Sequence, residues 1–203
     1  WRQYDQWPPS GKEDKVLYFQ DKGKLEWNRP EPSAGFSEYI SDPAKPVPYT
    51  EDVHFTRTKE YMTDDQRFAE RRPDVLAFQT AILDEDVTVT GVVTADLLTS
   101  ISSTDADFVV KLIDVFPDSF SYTEVNIYAD KDPEIVYPMG GYEMLVHGEV
   151  FRGRYRKSFE NPEPFVPDKI DRVKFDIGYV AHTFLKGHSI MIQIQSSWFP
   201  LVD

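Results

Sequence analysis

The sequence predicts an all-β fold of the sandwich type, and three observations support this prediction. Aromatic residues make up 14% of the 203 residues, and large flat side chains pack well on sheet faces. Proline is frequent, at 15 residues, and it is confined to loops, sheet edges and strand starts. Apolar stretches of strand length are separated by turn signals, and no long amphipathic helix pattern is found. We therefore expect a β-sandwich with long proline-rich loops.

The first quarter of the chain predicts one hairpin between irregular segments. Residues 1–14 are polar and contain proline, which indicates an irregular entry segment. Residues 15–20 and 25–27 are predicted strands, and Gly23 supplies the positive φ that a tight turn between them needs. Residues 28–50 hold five prolines and indicate a long surface connection.

The middle of the chain carries the strongest strand signals. Residues 60–73 are charged and predict a loop with one helical turn at 64–70. The predicted strands that follow are residues 74–80, 87–90, 91–102 after a bulge at Gly91, 107–116 and, more weakly, 125–128. The run at 107–116 is almost continuously apolar, which is typical of a central strand, and Pro117 ends it.

The last third is less uniform. Residues 140–150 fit both a helical period and strand alternation, whereas alternation dominates from 150 to 156. Residues 161–168 hold three prolines and predict a loop. Residues 173–177 and 189–196 are the last two predicted strands.

Charge and composition exclude several classes of function. The formal net charge is −13, and an acidic surface repels phosphates, so we expect no nucleic-acid partner. Without cysteine there is no disulfide, thiolate metal site or cysteine nucleophile. No apolar run reaches the roughly 18 residues of a membrane span. The compartment is left undetermined.

Serine hydrolysis would need an exposed nucleophile, a histidine base and an orienting carboxylate. Two segments approach the usual G-x-S-x-G pattern, around Ser37 and Ser189, but the second glycine is replaced by Tyr39 and Met191. No histidine follows Ser189 in the chain, so the order of such a triad also fails. We expect no catalytic residue in this chain.

Metal ligation is weakly supported as well. His147 and Glu149 share one face of a strand without a third ligand nearby, and His182 and His188 are predicted to flank a turn containing Gly187. We expect these histidines to be hydrogen-bonding turn or surface residues. The acidic pairs at 64–65 and 105–107 are interpreted as solvated turns, with a structural calcium site as the alternative. No cofactor is predicted.

The segment around Arg152, Arg154 and Arg156 is the most distinctive local feature. On a strand, these three side chains would share one face. Residues 151–174 carry seven Lys/Arg against four Asp/Glu, in contrast to the acidic remainder. Three guanidinium groups in a row need carboxylates opposite them or an anionic partner. The alternatives are a solvated edge with internal ion pairs and a contact with another domain.

Several segments together resemble a known family. They are residues 41–49 (SDPAKPVPY), 61–69 (YMTDDQRFA) with 72–76 (RPDVL), 105–115 (DADFVVKLIDV), 152–156 (RGRYR), 182–188 (HTFLKGH) and 195–200 (QSSWFP). Across nearly the whole chain, they are similar to the C-terminal domain of the Xaa-Pro dipeptidyl peptidase, cocaine esterase, α-amino acid ester hydrolase and glutaryl acylase group. The α-amino acid ester hydrolases look most similar.

This resemblance implies a jelly-roll of the galactose-binding-like type and a non-catalytic role. The Ser, Asp and His of the enzyme would lie in an α/β-hydrolase domain upstream, and this jelly-roll would pack against that domain and support its active-site region. Residues 1–14 would be the inter-domain linker and residues 15–203 the single domain. The resemblance also leaves a homo-oligomer open. By analogy with exported members of the family, it leaves open a periplasmic or extracellular location as well.

Eight residues are the candidates for the domain interface, and we expect an apolar surface where the partner domain sits. They are Trp1, Trp7, Arg152, Arg154, Arg156, His182, His188 and Trp198. The alternative function is a carbohydrate-binding module, in which Trp7, Trp27 or Trp198 would form a sugar platform. A metal-dependent enzyme is a third hypothesis.

Overall fold

In a computed structural model of the protein, residues 3–31, 35–56, 58–125 and 134–202 are described. This part of the chain forms ten strands, one single-turn α-helix (α1, Arg67–Glu70) and short 3-10 turns. The strands are β1 (Tyr18–Gln20), β2 (Lys24–Glu26), β3 (Leu76–Gln79), β4 (Val87–Thr99), β5 (Asp107–Val115), β6 (Ser121–Val125), β7 (Glu134–Pro138), β8 (Glu143–Arg152), β9 (Asp171–Phe184) and β10 (Ser189–Gln195). The all-β prediction is confirmed.

The strands form two facing sheets and a separate hairpin. The larger sheet has six strands in the order β1-β2-β3-β10-β5-β8, antiparallel throughout except for the β2–β3 pair. The second sheet consists of β4 and β9, and the hairpin consists of β6 and β7. None of the helical segments in the described ranges is long and apolar enough to cross a membrane.

Strand β5 is central because both of its faces are buried. Phe108, Val110 and Leu112 point into the core between the two sheets, where they meet side chains of the β4–β9 sheet. Val109, Lys111 and Ile113 lie on the opposite face of β5, where Val109 packs with Tyr49 and Trp198. Alternation along one strand thus serves two separate layers. The continuous apolar run predicted this strand well.

The β4–β9 sheet differs from the sequence prediction in two ways. β4 is one uninterrupted strand that passes through Gly91 in register, and the irregularity lies between Val93 and Thr94, opposite Gly178. β9 runs to Phe184 and so includes His182, which the sequence placed beside a turn. Gly178 has φ +119°, and a Cβ there would lie 2.3 Å from His147 Nε2. Only glycine lets the strand reset its alternation against that ring.

Other predictions meet different outcomes. The ambiguous stretch at 140–150 is mostly strand, as part of β8. The connection at 28–50 is not wholly on the surface, because Val47 is buried against Ala69 and Val75, and Tyr49 is buried against Val109 of β5. The weak strand at 125–128 falls outside the described residues beyond Val125, which ends β6.

Candidate domain-interface site

The two serines of the near-motifs are placed far from serine-hydrolase geometry. Ser189 is a buried residue at the start of β10, in register with Val115, and Ser37 lies exposed in an irregular segment. Within the ranges that the structure describes, neither serine hydrogen-bonds to a histidine, and no group of three or more His, Asp or Glu side chains could hold a metal. In the described ranges, the structure therefore places neither Ser37 nor Ser189 in a serine–histidine pair.

His182 and His188 are brought together by a carboxylate that the sequence analysis did not select. Asp114 of β5 is buried, and its two oxygens lie 2.8 Å from His182 Nε2 and 2.8 Å from His188 Nδ1. The ring of Phe116 packs on His188, with centroids 4.6 Å apart. A buried carboxylate is costly unless it is hydrogen-bonded, and two imidazoles satisfy both of its oxygens. The arrangement ties β5, β9 and the turn before β10 together.

A cleft of about 680 Å³ lies above this histidine pair, between the N-terminal segment and the end of the β4–β9 sheet. Trp7 and His182 both line it, together with Tyr4, Thr90 and Ala181. His182 thus shares Asp114 with His188 and shares this cleft with Trp7. Trp1 lies outside the described residues.

The three arginines do not share one strand face, which corrects the sequence prediction. Arg152 is the last residue of β8, and the chain then turns into a 3-10 helix at Gly153–Tyr155. A Cβ at Gly153 would lie 2.6 Å from the Phe165 ring and 2.8 Å from the Phe108 ring. The two rings pack so closely against the backbone that only glycine fits where the chain turns. The alternation of residues along the sequence does not predict this turn.

Each arginine instead meets an aspartate of this chain. Arg152 pairs with Asp107 through two hydrogen bonds of 3.0 and 3.1 Å, and Arg154 pairs with Asp105. These acidic residues are therefore ion-pair partners rather than freely solvated turn residues. The basic segment 151–174 is in part neutralised from within the domain.

Arg156 is the buried member of the three. Its side chain is only 2% exposed, its Nε lies 2.8 Å from Asp171 Oδ2, and its guanidinium lies 3.8 Å from the centre of the Phe165 ring. It also donates to the carbonyls of Gly153, Glu163 and Pro164. The hydrogen bond from Arg156 holds the pKa of Asp171 below its ordinary value. This arginine is an internal clamp for the loop before β9.

Trp198 lies on the opposite side of the larger sheet from the histidine pair. It lines an apolar cleft of about 430 Å³ with Phe199 and Val202 and covers the side chain of Lys111, whose Nζ lies 5.2 Å from its ring. The structure therefore does not place Trp198 beside Trp7 and His182.

Lys111 belongs to a buried polar layer that sequence reasoning missed. Its Nζ donates to Gln66 Oε1 at 2.9 Å, and Gln193 Nε2 lies 3.2 Å from the carboxyl of Glu143. Burial lowers the pKa of Lys111 to about 7, although the charge of Glu143 acts in the opposite direction. Burial, together with the neighbouring carboxyl of Glu70, raises the pKa of Glu143 to about 8. The available signal was a lysine, the one basic residue of β5, inside a largely apolar run.

The family follows from a comparison with known proteins. The whole chain, residues 1–203, matches the model of the X-Pro dipeptidyl-peptidase C-terminal non-catalytic domain. The chain belongs to this family. This result confirms the resemblance predicted from the sequence and assigns the chain to a domain type that carries no catalytic machinery of its own.

Three relatives of the X-Pro dipeptidyl-peptidase C-terminal domain are informative. An aminopeptidase from a marine sediment archaeon, Thaumarchaeota archaeon, is 42% identical with a TM-score of 0.85, and the match covers 99% of this chain and 32% of that one. An α-amino acid ester hydrolase is 42% identical with a TM-score of 0.80, covering 92% and 29% of the two chains. Cocaine esterase of Rhodococcus sp. (strain MB1 Bresler) is 34% identical over 165 residues, which is 81% of this chain and 25% of that protein.

The present chain thus spans between a quarter and a third of the length of these relatives. These comparisons support the hydrolase-domain interpretation and give no support to the carbohydrate-binding alternative.

Proposed function

We propose that this chain serves as the non-catalytic C-terminal domain of an α/β-hydrolase-type serine hydrolase that acts on peptide, ester or amide bonds. Residues 1–14 would be the linker from the catalytic domain, and residues 15–203 would be one domain. The observation that carries the proposal is the match of the entire chain to a non-catalytic hydrolase domain. The aminopeptidase and the two ester-cleaving enzymes among its relatives support the substrate classes.

The internal contacts of the domain support a structural role. His182 and His188 each use one ring nitrogen in a hydrogen bond to the buried Asp114. These hydrogen bonds join the two sheets, and the nitrogens that make them are not free to act as a base for a nucleophile. The three arginines contact carboxylates of the same domain, and Arg156 is almost completely buried. Of the eight candidate interface residues, Trp7 and His182 are the pair that we place at the domain interface, because they line one open cleft.

A hydrolase assay on two forms of the protein tests the proposal. The chain alone and the chain joined to the sequence encoded upstream are each incubated with an aminoacyl p-nitroanilide and a p-nitrophenyl ester. We expect activity in the joined form, sensitive to a serine-directed inhibitor, and only the buffer rate for the chain alone. Inhibitor-sensitive hydrolysis by the chain alone would contradict the proposal, and so would an inactive joined form.

Self-association is a further part of the proposal, since the resemblance to this family leaves a homo-oligomer open. Sedimentation velocity of the joined form measures it directly. A mass that corresponds to one chain at all concentrations would remove this part and leave the domain assignment intact.

A further inference from the structure

The two outer faces of the sandwich differ in how far other parts of the chain cover them. The outer face of the six-stranded sheet is covered, because Tyr49, Tyr61 and Trp198 pack over Val109 and its neighbours. The outer face of the β4–β9 sheet is open, and its cross-strand neighbours Val92 and Tyr179 are 47% and 69% exposed. An open sheet face that carries large apolar side chains in register is the type of surface that a partner covers.

This open face has two halves of different chemistry, separated by the irregularity at Gly178. The half formed by residues 94–99 and 171–176 carries charge. Arg172 forms an ion pair with Asp96, and Thr94 donates a hydrogen bond to Asp176 at 2.8 Å. The other half consists of three cross-strand pairs without a charged residue. These pairs are Thr88 with Thr183, Thr90 with Ala181, and Val92 with Tyr179.

We call these six residues the uncharged half-face. Charged residues make up 28% of the whole chain, whereas none of these six neighbouring outward positions carries one. Charged residues are depleted and tyrosine is enriched at the centres of protein interfaces. Thr88 and Thr183 satisfy each other through a hydroxyl hydrogen bond of 2.9 Å, which lowers the cost of removing them from water.

The N-terminal segment continues the uncharged half-face on one side. Tyr4 and Trp7 line the cleft that Ala181 and Thr183 of the half-face also line. The aromatic residues of the linker and the open sheet thus form one continuous surface.

We infer that the uncharged half-face, together with Tyr4 and Trp7, is the surface on which the catalytic part of the same polypeptide docks. The inference rests on the proposed function, and it adds the location of the interface. The occupant follows from two observations. The relatives are about three times as long as this chain and the matched domain is C-terminal, and the N-terminal segment around Tyr4 and Trp7 lies beside this surface. A short connection raises the effective concentration of the catalytic part at this face.

Site-specific photo-crosslinking in the full-length protein tests the inference. A benzophenone amino acid replaces Tyr179, and a matched sample carries it at Leu98, which is 78% exposed on the charged half of the same open face. We expect intramolecular cross-links from position 179 to peptides of the catalytic part, and we expect no such cross-links from position 98. Cross-links only between two copies of this domain, equal yields from both positions, or no cross-link from position 179 would each overturn it.

A second measurement covers the event that the probe disturbs docking. Tyr179→Lys with Val92→Lys is compared with Leu98→Lys in the full-length protein by differential scanning calorimetry. We expect the double variant to split one unfolding transition into two, because the domains then unfold separately, whereas the control keeps one transition. A single transition in the double variant would overturn the inference. The hydrolase assay on the same samples tests the proposed function separately. A full-length protein that is active but shows no docking at this face would overturn only the inference about the interface.

Discussion

Replacing Lys111 by methionine should make the stability of the domain respond differently to pH. Lys111 has no exposed surface, and its ammonium group meets one amide oxygen, that of Gln66, at 2.9 Å. Methionine has a similar length and carries no charge. The substitution therefore removes the cost of burying a titratable amine and leaves the amide oxygen of Gln66 without its donor.

The magnitude follows from the pKa. A fall from 10.5 to about 7 corresponds to about 5 kcal/mol, at about 1.4 kcal/mol per pH unit. Between these two values the unfolded chain binds the proton and the folded chain does not, so the free energy of unfolding rises with pH across this window. The penalty is present in full below pH 7 and is lost near pH 10.5. An unpaired amide oxygen costs about 1–3 kcal/mol at any pH.

We therefore expect Lys111→Met to raise the free energy of unfolding at pH 7 by about 2–4 kcal/mol. At pH 10, where about 0.7 kcal/mol of the penalty remains, we expect it to lower the free energy of unfolding by about 0.5–2 kcal/mol. Glu143 has the opposite linkage. Its pKa is raised from 4.5 to about 8, so its contribution to the free energy of unfolding is lost as pH rises through this window, but Glu143 is present in both proteins and its contribution largely cancels in the comparison. Urea unfolding at the two pH values measures the difference. Lys174→Met, at an exposed position of β9, is the control and should stay within about 0.5 kcal/mol of the parent. An equal effect of Lys111→Met at pH 7 and pH 10 would refute the reasoning.

Two further substitutions test the packing described above. Gly178→Ala should destabilise the domain by about 3 kcal/mol or more in urea unfolding. The control Gly11→Ala should cost only the backbone strain of about 1–2 kcal/mol, because Gly11 has φ +84° and nothing lies within 4 Å of its Cβ position. Equal losses in the two variants would show that the ring of His147 can move away. Arg156→Lys should lower the free energy of unfolding by about 2–4 kcal/mol, because a lysine cannot reproduce the planar set of donors. The control Arg172→Lys, at a side chain that is 60% exposed, should lower it by less than about 1 kcal/mol. Similar small losses for both variants would contradict the role of Arg156 as an internal clamp.

Much of the β architecture was predictable from local patterns. β5 and β10 follow from apolar runs bounded by turn signals, and the first hairpin follows from Gly23 between two short strands. The bounds of β9 were not predictable in this way. The strand extends to Phe184 because β4 pairs with it along its whole length, and this pairing joins residues that are distant in sequence.

The candidate site shows the same division. Trp7, His182 and His188 were selected from their residue types, but the connection between the two histidines depends on Asp114, which is 68 and 74 residues away from them. The three arginines were expected on one strand face, and the turn at Gly153 separated them because two phenylalanine rings leave no room for a Cβ.

The sequence by itself determined the all-β class, the family resemblance and the lack of a serine-hydrolase motif, because each depends on residue types and their local spacing. The tertiary structure alone decided which charges are paired, that Lys111 is buried beneath Trp198, and that one half of the β4–β9 face is free of charge. These properties depend on the distance and burial of side chains that are far apart along the chain, and electrostatic energy depends on both quantities.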